Sequence, residues 1–470
     1  MLKKNDEKIA YVVDFGSEGE GIIKDEDSVI FVPFVLKGEK VKYKVLKTSK
    51  NIAYGKLLEV LDQSPLRTQP ICPVFKKCGG CQLQHVAYES QLEIKRDLVR
   101  NAFKRVANLD VNVESVICGD NCFRYRNKLQ LPVSQVEDST LIGFYAENSH
   151  RVIDIEDCPI NAQWTKPLIQ ALREFMMLKN LKGYNDLDKS GDVRELTARE
   201  IDGKLIITLV VLKDIIKGIN DFVDCIKKHI SNEFSLYLNI NKSHTNKIYG
   251  DIFKLVYGKG EYSGEELGIK FNMGVQSFMQ VNSSVCKKLY SSVKTLLNAK
   301  ENSVVIDAYS GAGLMTALLA KDVKKAIGIE IIKEATILAD KLIEDNDLSN
   351  KVINLNGKCE EILPSVIDKE RQENTEISLV LDPPRKGCEI EVLQAILKSE
   401  IDRIVYVSCK PSTLARDVGV LVGSLKVENG KIVKNDYNQL NYKVERVIPF
   451  DMFPQTKHVE TLVSLTRIKN

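Results

Sequence analysis

One cysteine stands where an apolar strand stops. In "RIVYVSCKPSTLARD", residues 403–417, the apolar run Ile404–Val407 breaks off at Ser408, Cys409, Lys410 and Pro411. A packing cysteine belongs inside such a run, but Cys409 lies at its exit, beside a lysine and ahead of a helix predicted to begin around Ser412. The thiolate is the reactive form of cysteine, and nearby cations and helix N-termini favour it. Carbon 5 of a uracil ring is a poor nucleophile. A thiolate added at carbon 6 makes carbon 5 enolate-like and able to take an electrophilic methyl group. A base must then remove the carbon 5 proton so that the sulfur can leave. The C-terminal "FDMFPQTKHVETLVSL" offers Asp451, His458 and Glu460 for that task. Glu460 opens an apolar strand, which places it near a sheet end; His458 rivals it by residue type, and spacing leaves the choice open.

A methyl donor needs a site of its own. Asp307, Glu330, Asp382 and Cys409 each end an apolar run, and ligands of doubly wound sheets bind beyond the carboxyl ends of the strands. The loop "DAYSGAG" lets backbone approach a ligand through Gly311 and Gly313. Glu330 follows Asp307 by 23 residues, where a carboxylate can accept two ribose hydroxyls. A dinucleotide fingerprint would require G-x-G-x-x-G, and Thr316 stands where the third glycine belongs. An adenosine cofactor without a pyrophosphate fits better, and S-adenosylmethionine is the natural candidate. In "DPPRKG", residues 382–387, Arg385 occupies the position where amino-group methylases commonly carry a stacking aromatic, which argues against an exocyclic amine as target.

A second constellation is "CPVFKKCGGCQLQH", residues 72–85, with Cys72, Cys78 and Cys81 spaced C-x5-C-x2-C around a Gly-Gly turn. Three thiols this close predict a metal centre, zinc or an iron–sulfur cluster. The fourth ligand is open among His85, Cys118, Cys122 and Cys158.

The elements that must carry these residues follow from patterning. The chain of 470 residues is too long for one core, so about three domains are expected. Its 44% hydrophobic and 28% charged residues read as a globular protein. "MLKKNDEK" has no apolar signal region, and "LIITLVVL" is too short to span a bilayer, so no membrane partner and a cytoplasmic location are expected. A reducing compartment disfavours disulfides among the eleven cysteines. Residues 8–62 alternate in short strands between glycine turns, predicting a small OB-like β-barrel. Between Lys37 and Lys56 seven lysines face one glutamate, with Tyr43 and Tyr54 interleaved, a mixture suited to a phosphate backbone with stackable bases or else to a solvated strand face. "QSPLRTQP" reads as a linker, and residues up to about 265 as a mixed α+β region. The last 200 residues alternate strand and helix, predicting a Rossmann-like parallel sheet. The expected domains are therefore 1–62, 63–265 and 266–470.

The motifs "LDPPRKG", "VYVSCKPSTLARD", "DMFPQTKHVE", "SFMQVN" and "CGGCQLQH" together resemble the RNA uracil-5-methyltransferase family, and within it the 23S ribosomal RNA branch that carries an iron–sulfur cluster. The resemblance spans essentially the whole chain. It implies an N-terminal TRAM barrel that binds RNA, a central domain holding a [4Fe-4S] cluster, and an S-adenosylmethionine-dependent methyltransferase domain acting as a monomer. Carried over by motif, Cys409 is the nucleophile and Glu460 the proton acceptor. Gln280, Tyr309, Glu330 and Asp382 contact S-adenosylmethionine, and Cys72, Cys78, Cys81 and Cys158 hold the cluster. Arg124, Arg126 and Lys128 are candidates to extend the RNA surface. A stacked target uridine would have to be extruded from the RNA, which costs a few kcal/mol. Two other readings compete: a transfer RNA branch or another methylated base, and a non-catalytic RNA-binding protein with a metal knuckle.

Overall fold

The computed structural model describes every residue except 1, 26–27, 278, 373–375, 400, 436–439 and 469–470; Phe278 of "SFMQVN" therefore lies outside the described residues. The chain forms two compact units that interleave in sequence. One comprises Met1–Gln91, Asn121–Tyr262 and Phe453–Lys457, the other Leu92–Asp120, Ser263–Met452 and His458–Asn470.

In the first unit, six strands between Glu7 and Asp62 form a curled sheet. Residues 7–11 pair with 40–44 while residues 14–15 pair with 21–22, so one stretch of chain bonds both edges and closes the barrel. Val41, Tyr43 and Val45 point inward at almost no exposure, and the alternation turns Lys40, Lys42 and Lys44 outward. Tyr43 is thus part of the barrel core and unavailable for stacking; Tyr54, 47% exposed and stacked on Phe31, keeps that possibility. Glu39, the one acid among the lysines, is buried and accepts from Arg67 at 2.6 and 2.7 Å, which ties the expected linker to the barrel. Beyond it lies a seven-stranded sheet built from strands between Lys128 and Tyr257. The helices Thr165–Lys179 and Ile219–His229 share its apolar core.

The second unit is the doubly wound sheet. Its strands are β1 (Val304–Ala308), β2 (Lys325–Glu330), β3 (Val352–Asn356), β4 (Ile377–Leu381), β5 (Arg403–Ser408), β6 (Tyr442–Phe450) and β7 (Glu460–Arg467). The spatial order is β3-β2-β1-β4-β5-β7-β6. β1 to β5 run parallel, and β7 is antiparallel to both neighbours. Helices α1 (Leu314–Ala320), α2 (Lys333–Asp345), α3 (Cys359–Gln372), α4 (Ile390–Ser399) and α5 (Pro411–Val422) alternate with the strands. Near-continuous apolar runs such as Val304–Ile306 and Ile404–Val407 are buried on both faces, as strands covered by helices on each side require. The direction of winding reverses between β1 and β4, which opens the crevice at their carboxyl ends.

Residues of the helix Tyr88–Ala102 complete this core: Val99 packs in it beside Phe103, Ala107 and Val113. On the same helix Lys95 is fully buried and pairs with Asp451 at 2.5 Å. Among the described residues no helix is long and apolar enough to cross a membrane.

Candidate active site

Strand register places the two reactive candidates. Ser408 at the end of β5 pairs with Thr461 near the start of β7, which brings Cys409, just past β5, close enough to Glu460, the first residue of β7, for its charge to act on the thiol. Cys409 falls at the break because Ser408 and Lys410 close a turn, with Lys410 N donating to Ser408 Oγ at 3.2 Å. Lys410 is the cap and Pro411 the first residue of α5, where proline's fixed φ suits a helix start.

The cation beside the thiol is Arg385, not Lys410. Burial raises the Cys409 pKa most, the Glu460 charge adds to that, and the Arg385 guanidinium opposes both by charge and hydrogen bond. The net direction is upward, against the expectation from the neighbouring lysine and helix. Glu460 is 4% exposed, and burial lifts its carboxyl well above the usual range. Asp382 reinforces the rise and Arg385 counters it. Asp451 is removed from the contest for the base by its pairing with Lys95.

The loop that carries Arg385 is clamped to α5. Asp417, fully buried, accepts from Tyr406 Oη at 2.5 Å and from Cys388 N at 2.8 Å. Arg416 donates to Asp417 Oδ1 at 2.7 Å and to the Lys386 carbonyl at 3.0 Å, and Thr413 to the Arg385 carbonyl at 3.2 Å. Gly387, at φ +80°, is required because a Cβ there would stand 2.4 Å from Asp417 Oδ2. These residues explain "PSTLARD" and "RKGC", whose polar members the sequence did not place. The signal was available: three polar residues at helical spacing directly behind a reactive cysteine.

The donor-site candidates gather at the ends of β1, β2 and β4. Glu330 accepts from Gly311 N at 2.9 Å and Ile332 N at 2.8 Å, so its carboxylate orients the glycine loop. Gly311 and Gly313 take φ of +56° and +81°. Asp307 is buried and accepts from Thr316 Oγ1 at 2.6 Å, giving the residue in the third-glycine position a structural task. Its pKa is pushed up to about 7, chiefly by burial and then by the charges of Asp382 and Glu330. Asp382 keeps exposed surface, yet the protein packed around it pushes its pKa up to about 7. The Tyr309 hydroxyl lies beside the thiols of Cys388 and Cys359, and the side chain packs partly buried against the core of the sheet. Gln280 is half-buried in the loop before the helix Ser283–Leu297.

In the first unit, Cys72, Cys78, Cys81 and Cys158 line one cavity of about 180 Å³. Burial raises all four thiols, Cys81 to about 12 and Cys158 to about 11, and each of these two is raised further by the charges of its thiol neighbours. Gly80 N donates to Cys78 Sγ at 3.3 Å. Gly79 sits against Tyr145 and Glu147 with no room for a Cβ, which accounts for the Gly-Gly turn. Arg124 holds the Cys158 loop through Asp157 at 2.5 and 2.9 Å, so its guanidinium is engaged there rather than offered to a phosphate. His85 and Cys122 do not line the cavity. His85 is buried against Phe34 and Phe75 and its pKa falls to about 3, the mark of a neutral core imidazole. Among the described residues no three His, Cys, Asp or Glu side chains close on a point that would hold one metal ion; the thiols rim a cavity instead.

A seven-stranded doubly wound sheet with cysteine, arginine and acids at its carboxyl edge defines a group-transfer enzyme of the methyltransferase class. The model of the tRNA (uracil-5-)-methyltransferase family matches residues 87–468. An uncharacterized RNA methyltransferase of Clostridium acetobutylicum is 36% identical over 475 residues, covering 99% of this chain and 98% of that protein. One of Halalkalibacterium halodurans is 34% identical, covering 100% and 98%. The crystal structure of Pyrococcus abyssi tRNA (uracil-54, C5)-methyltransferase with S-adenosyl-L-homocysteine superposes with a TM-score of 0.74 at 24% identity, over 97% of this chain and 99% of that one. The fold is therefore the α/β methyltransferase fold. The chain belongs to the tRNA (uracil-5-)-methyltransferase family and is an RNA methyltransferase.

Proposed function

We propose that this enzyme methylates carbon 5 of a uridine in RNA, using S-adenosylmethionine, through a covalent bond between Cys409 and carbon 6. The proximity of Cys409, just past β5, and Glu460, the first residue of β7, with Arg385 acting on both, carries the reading. When bound, S-adenosylmethionine supplies an electrophilic methyl group. Cys409 Sγ adds to carbon 6, and the electron pair of the C5–C6 bond moves into the enolate. Once carbon 5 carries the methyl group, the donor's sulfonium–methyl bond having broken to leave a neutral thioether, Glu460 would remove the carbon 5 proton and the C6–S bond would break to restore the ring. Gln280, Tyr309, Glu330 and Asp382 would hold the donor; the acids and glycine loop at one sheet edge support that assignment.

Four thiols around one cavity suit a [4Fe-4S] cluster, each iron taking one thiolate, and zinc is the alternative. Methyl transfer is redox-neutral, so the cluster would hold the fold or position RNA. The closed barrel with outward lysines fits a TRAM-type RNA binder, giving with the central sheet and the catalytic unit three domains near 1–62, 63–265 and 266–470. The motif resemblance to the ribosomal branch favours 23S ribosomal RNA, and the reducing cytoplasm suits free thiols. Transfer RNA is the second reading, because the Pyrococcus abyssi enzyme named for it aligns with 97% of this chain.

Incubation with 5-fluorouridine-containing RNA and the methyl donor is the test. A covalent protein–RNA adduct is expected and should vanish in Cys409→Ala, because fluorine cannot leave as a proton. Absence of the adduct with active protein overturns the mechanism. Competing 23S ribosomal and transfer RNA transcripts decide the substrate.

A further inference from the structure

A second cavity, of about 360 Å³, opens in the first unit between the sheet and the loop 244–248. This lies in the size range of small-molecule sites. None of the residues proposed above for catalysis, donor binding or the cluster lines it.

Its floor holds an anomaly. Glu195 is 8% exposed; Gln130 hydrogen-bonds its carboxyl, burial pushes its pKa up to about 7, and its Oε2 has no hydrogen-bond partner. Leaving a buried carboxyl oxygen without a partner is unfavourable, so such an atom favours a donor brought by a ligand. Arg194 lowers the Glu195 pKa by its charge but gives its hydrogen bonds elsewhere: it donates to the carbonyls of Ser243 and Thr245, and its guanidinium lies 5.0 Å from the centre of the Tyr184 ring. The register of the strand Val193–Ile201 shifts between Val193 and Glu195, a bulge of the kind that re-aims side chains beside sites. The loop opposite is held in place by Asn241, which donates to the carbonyls of Lys247 and Ile248 at 2.7 and 2.9 Å. The walls add Tyr145 and Tyr184, with His150 5.6 Å from the Tyr145 ring, and Lys247 at the rim. An acceptor atom without a partner beside two tyrosine rings, with both a lysine (Lys247) and an acid (Asp186) in the lining, matches a nucleotide base better than any apolar ligand.

We propose that this cavity binds a guanine nucleotide of the RNA substrate, at a position other than the methylated uridine. The N1–H and N2–H groups of guanine donate to the Glu195 carboxylate while the base lies beside Tyr145 and Tyr184. Uracil presents only one N–H, flanked by two carbonyl oxygens that a carboxylate repels. The inference rests on the RNA-methyltransferase assignment and gives that enzyme a reading site for sequence context.

Titration of the full-length protein with GMP, AMP, CMP and UMP tests it. GMP should bind about tenfold or more tightly than UMP, and E195Q should remove that preference. E195Q and Y184L should raise KM for RNA with kcat and S-adenosylmethionine affinity unchanged, thermal melting serving as the check on folding. GMP affinity in E195Q within about twofold of wild type, or no preference in the wild type, overturns the proposal. The 5-fluorouridine adduct should still form in E195Q at saturating RNA. Glu195-dependent GMP binding in a wild-type protein that forms no adduct would instead remove the uridine chemistry and leave this site standing.

Discussion

Replacing Glu460 by glutamine separates the two halves of the proposed reaction. Glutamine keeps the shape and removes the base, so methyl transfer should proceed while release of the carbon 5 proton fails. General base catalysis is worth about 10²–10⁴ in rate, or ~2.7–5.5 kcal/mol of barrier. The upper part of that range is expected because Glu460 is 4% exposed and no bulk water can take its place. The substitution also acts on the thiol. The Glu460 charge raises the Cys409 pKa, so its removal lowers that pKa and favours the thiolate. Adduct formation should therefore hold or quicken while its breakdown slows about a thousandfold. With RNA tritiated at uridine carbon 5, the assay reads tritium release and, on a denaturing gel, covalent protein–RNA complex. E460Q should give about one methyl per chain, accumulate the complex and release little tritium. Tritium release at the wild-type rate, or loss of the complex together with methyl transfer, would refute the assignment.

Arg385→Met should move the acidic limb of the pH–kcat/KM profile toward higher pH. Arg385 lowers the pKa of both Cys409 and Glu460, and the thiolate must form before the ring is attacked; an unmoved limb would show that the arginine serves substrate binding alone. Lys95→Met should destabilise the catalytic unit by about 3–5 kcal/mol, because it removes the cation paired with the buried Asp451 carboxylate. Adding Asp451→Leu should recover most of that loss in denaturant titrations, and no recovery would mean the pair fixes a geometry the apolar pair cannot. Protein purified without oxygen should carry about four iron and four sulfide per chain and lose them in Cys158→Ser. One zinc per chain would select the alternative instead.

The parts of the molecule visible in its sequence were those with period and punctuation. Apolar strands ending in Asp307, Glu330, Asp382 and Cys409 announced a parallel sheet, because strands buried on both faces read as unbroken apolar runs. Short alternating strands between glycine turns announced the barrel, yet the same alternation that turns its lysines outward turns Tyr43 inward, so counting aromatics overstated the stacking surface. The proximity of Cys409 and Glu460 depends on a register between segments 51 residues apart, which no local pattern encodes. Asp451 looked free as a candidate base because its partner lies 356 residues earlier. The cause is the same for the cation at Cys409: Lys410 is the neighbour in sequence, whereas the clamp through Asp417 and Arg416 fixes the loop that carries Arg385.

The donor side of the site has a pH logic that can be tested without turnover. Asp307 has its pKa pushed up to about 7 by burial and by the nearby charges of Asp382 and Glu330. A cation arriving among these acids favours their ionised forms, so its binding should release protons wherever they are partly protonated. Below about pH 7 Asp307 must lose a proton to receive it; above that it is already charged. Affinity for S-adenosylmethionine should therefore climb as pH rises through the Asp307 pKa and then level off. S-Adenosylhomocysteine keeps the ammonium group but lacks the sulfonium charge, so its affinity should climb less steeply. Calorimetry of both ligands across this range measures the difference directly, and proton release is read by repeating it in buffers of different ionisation heat. Parallel profiles for the two ligands would mean that the sulfonium does not lie among these acids, and the placement of the methyl donor at the ends of β1, β2 and β4 would have to be abandoned.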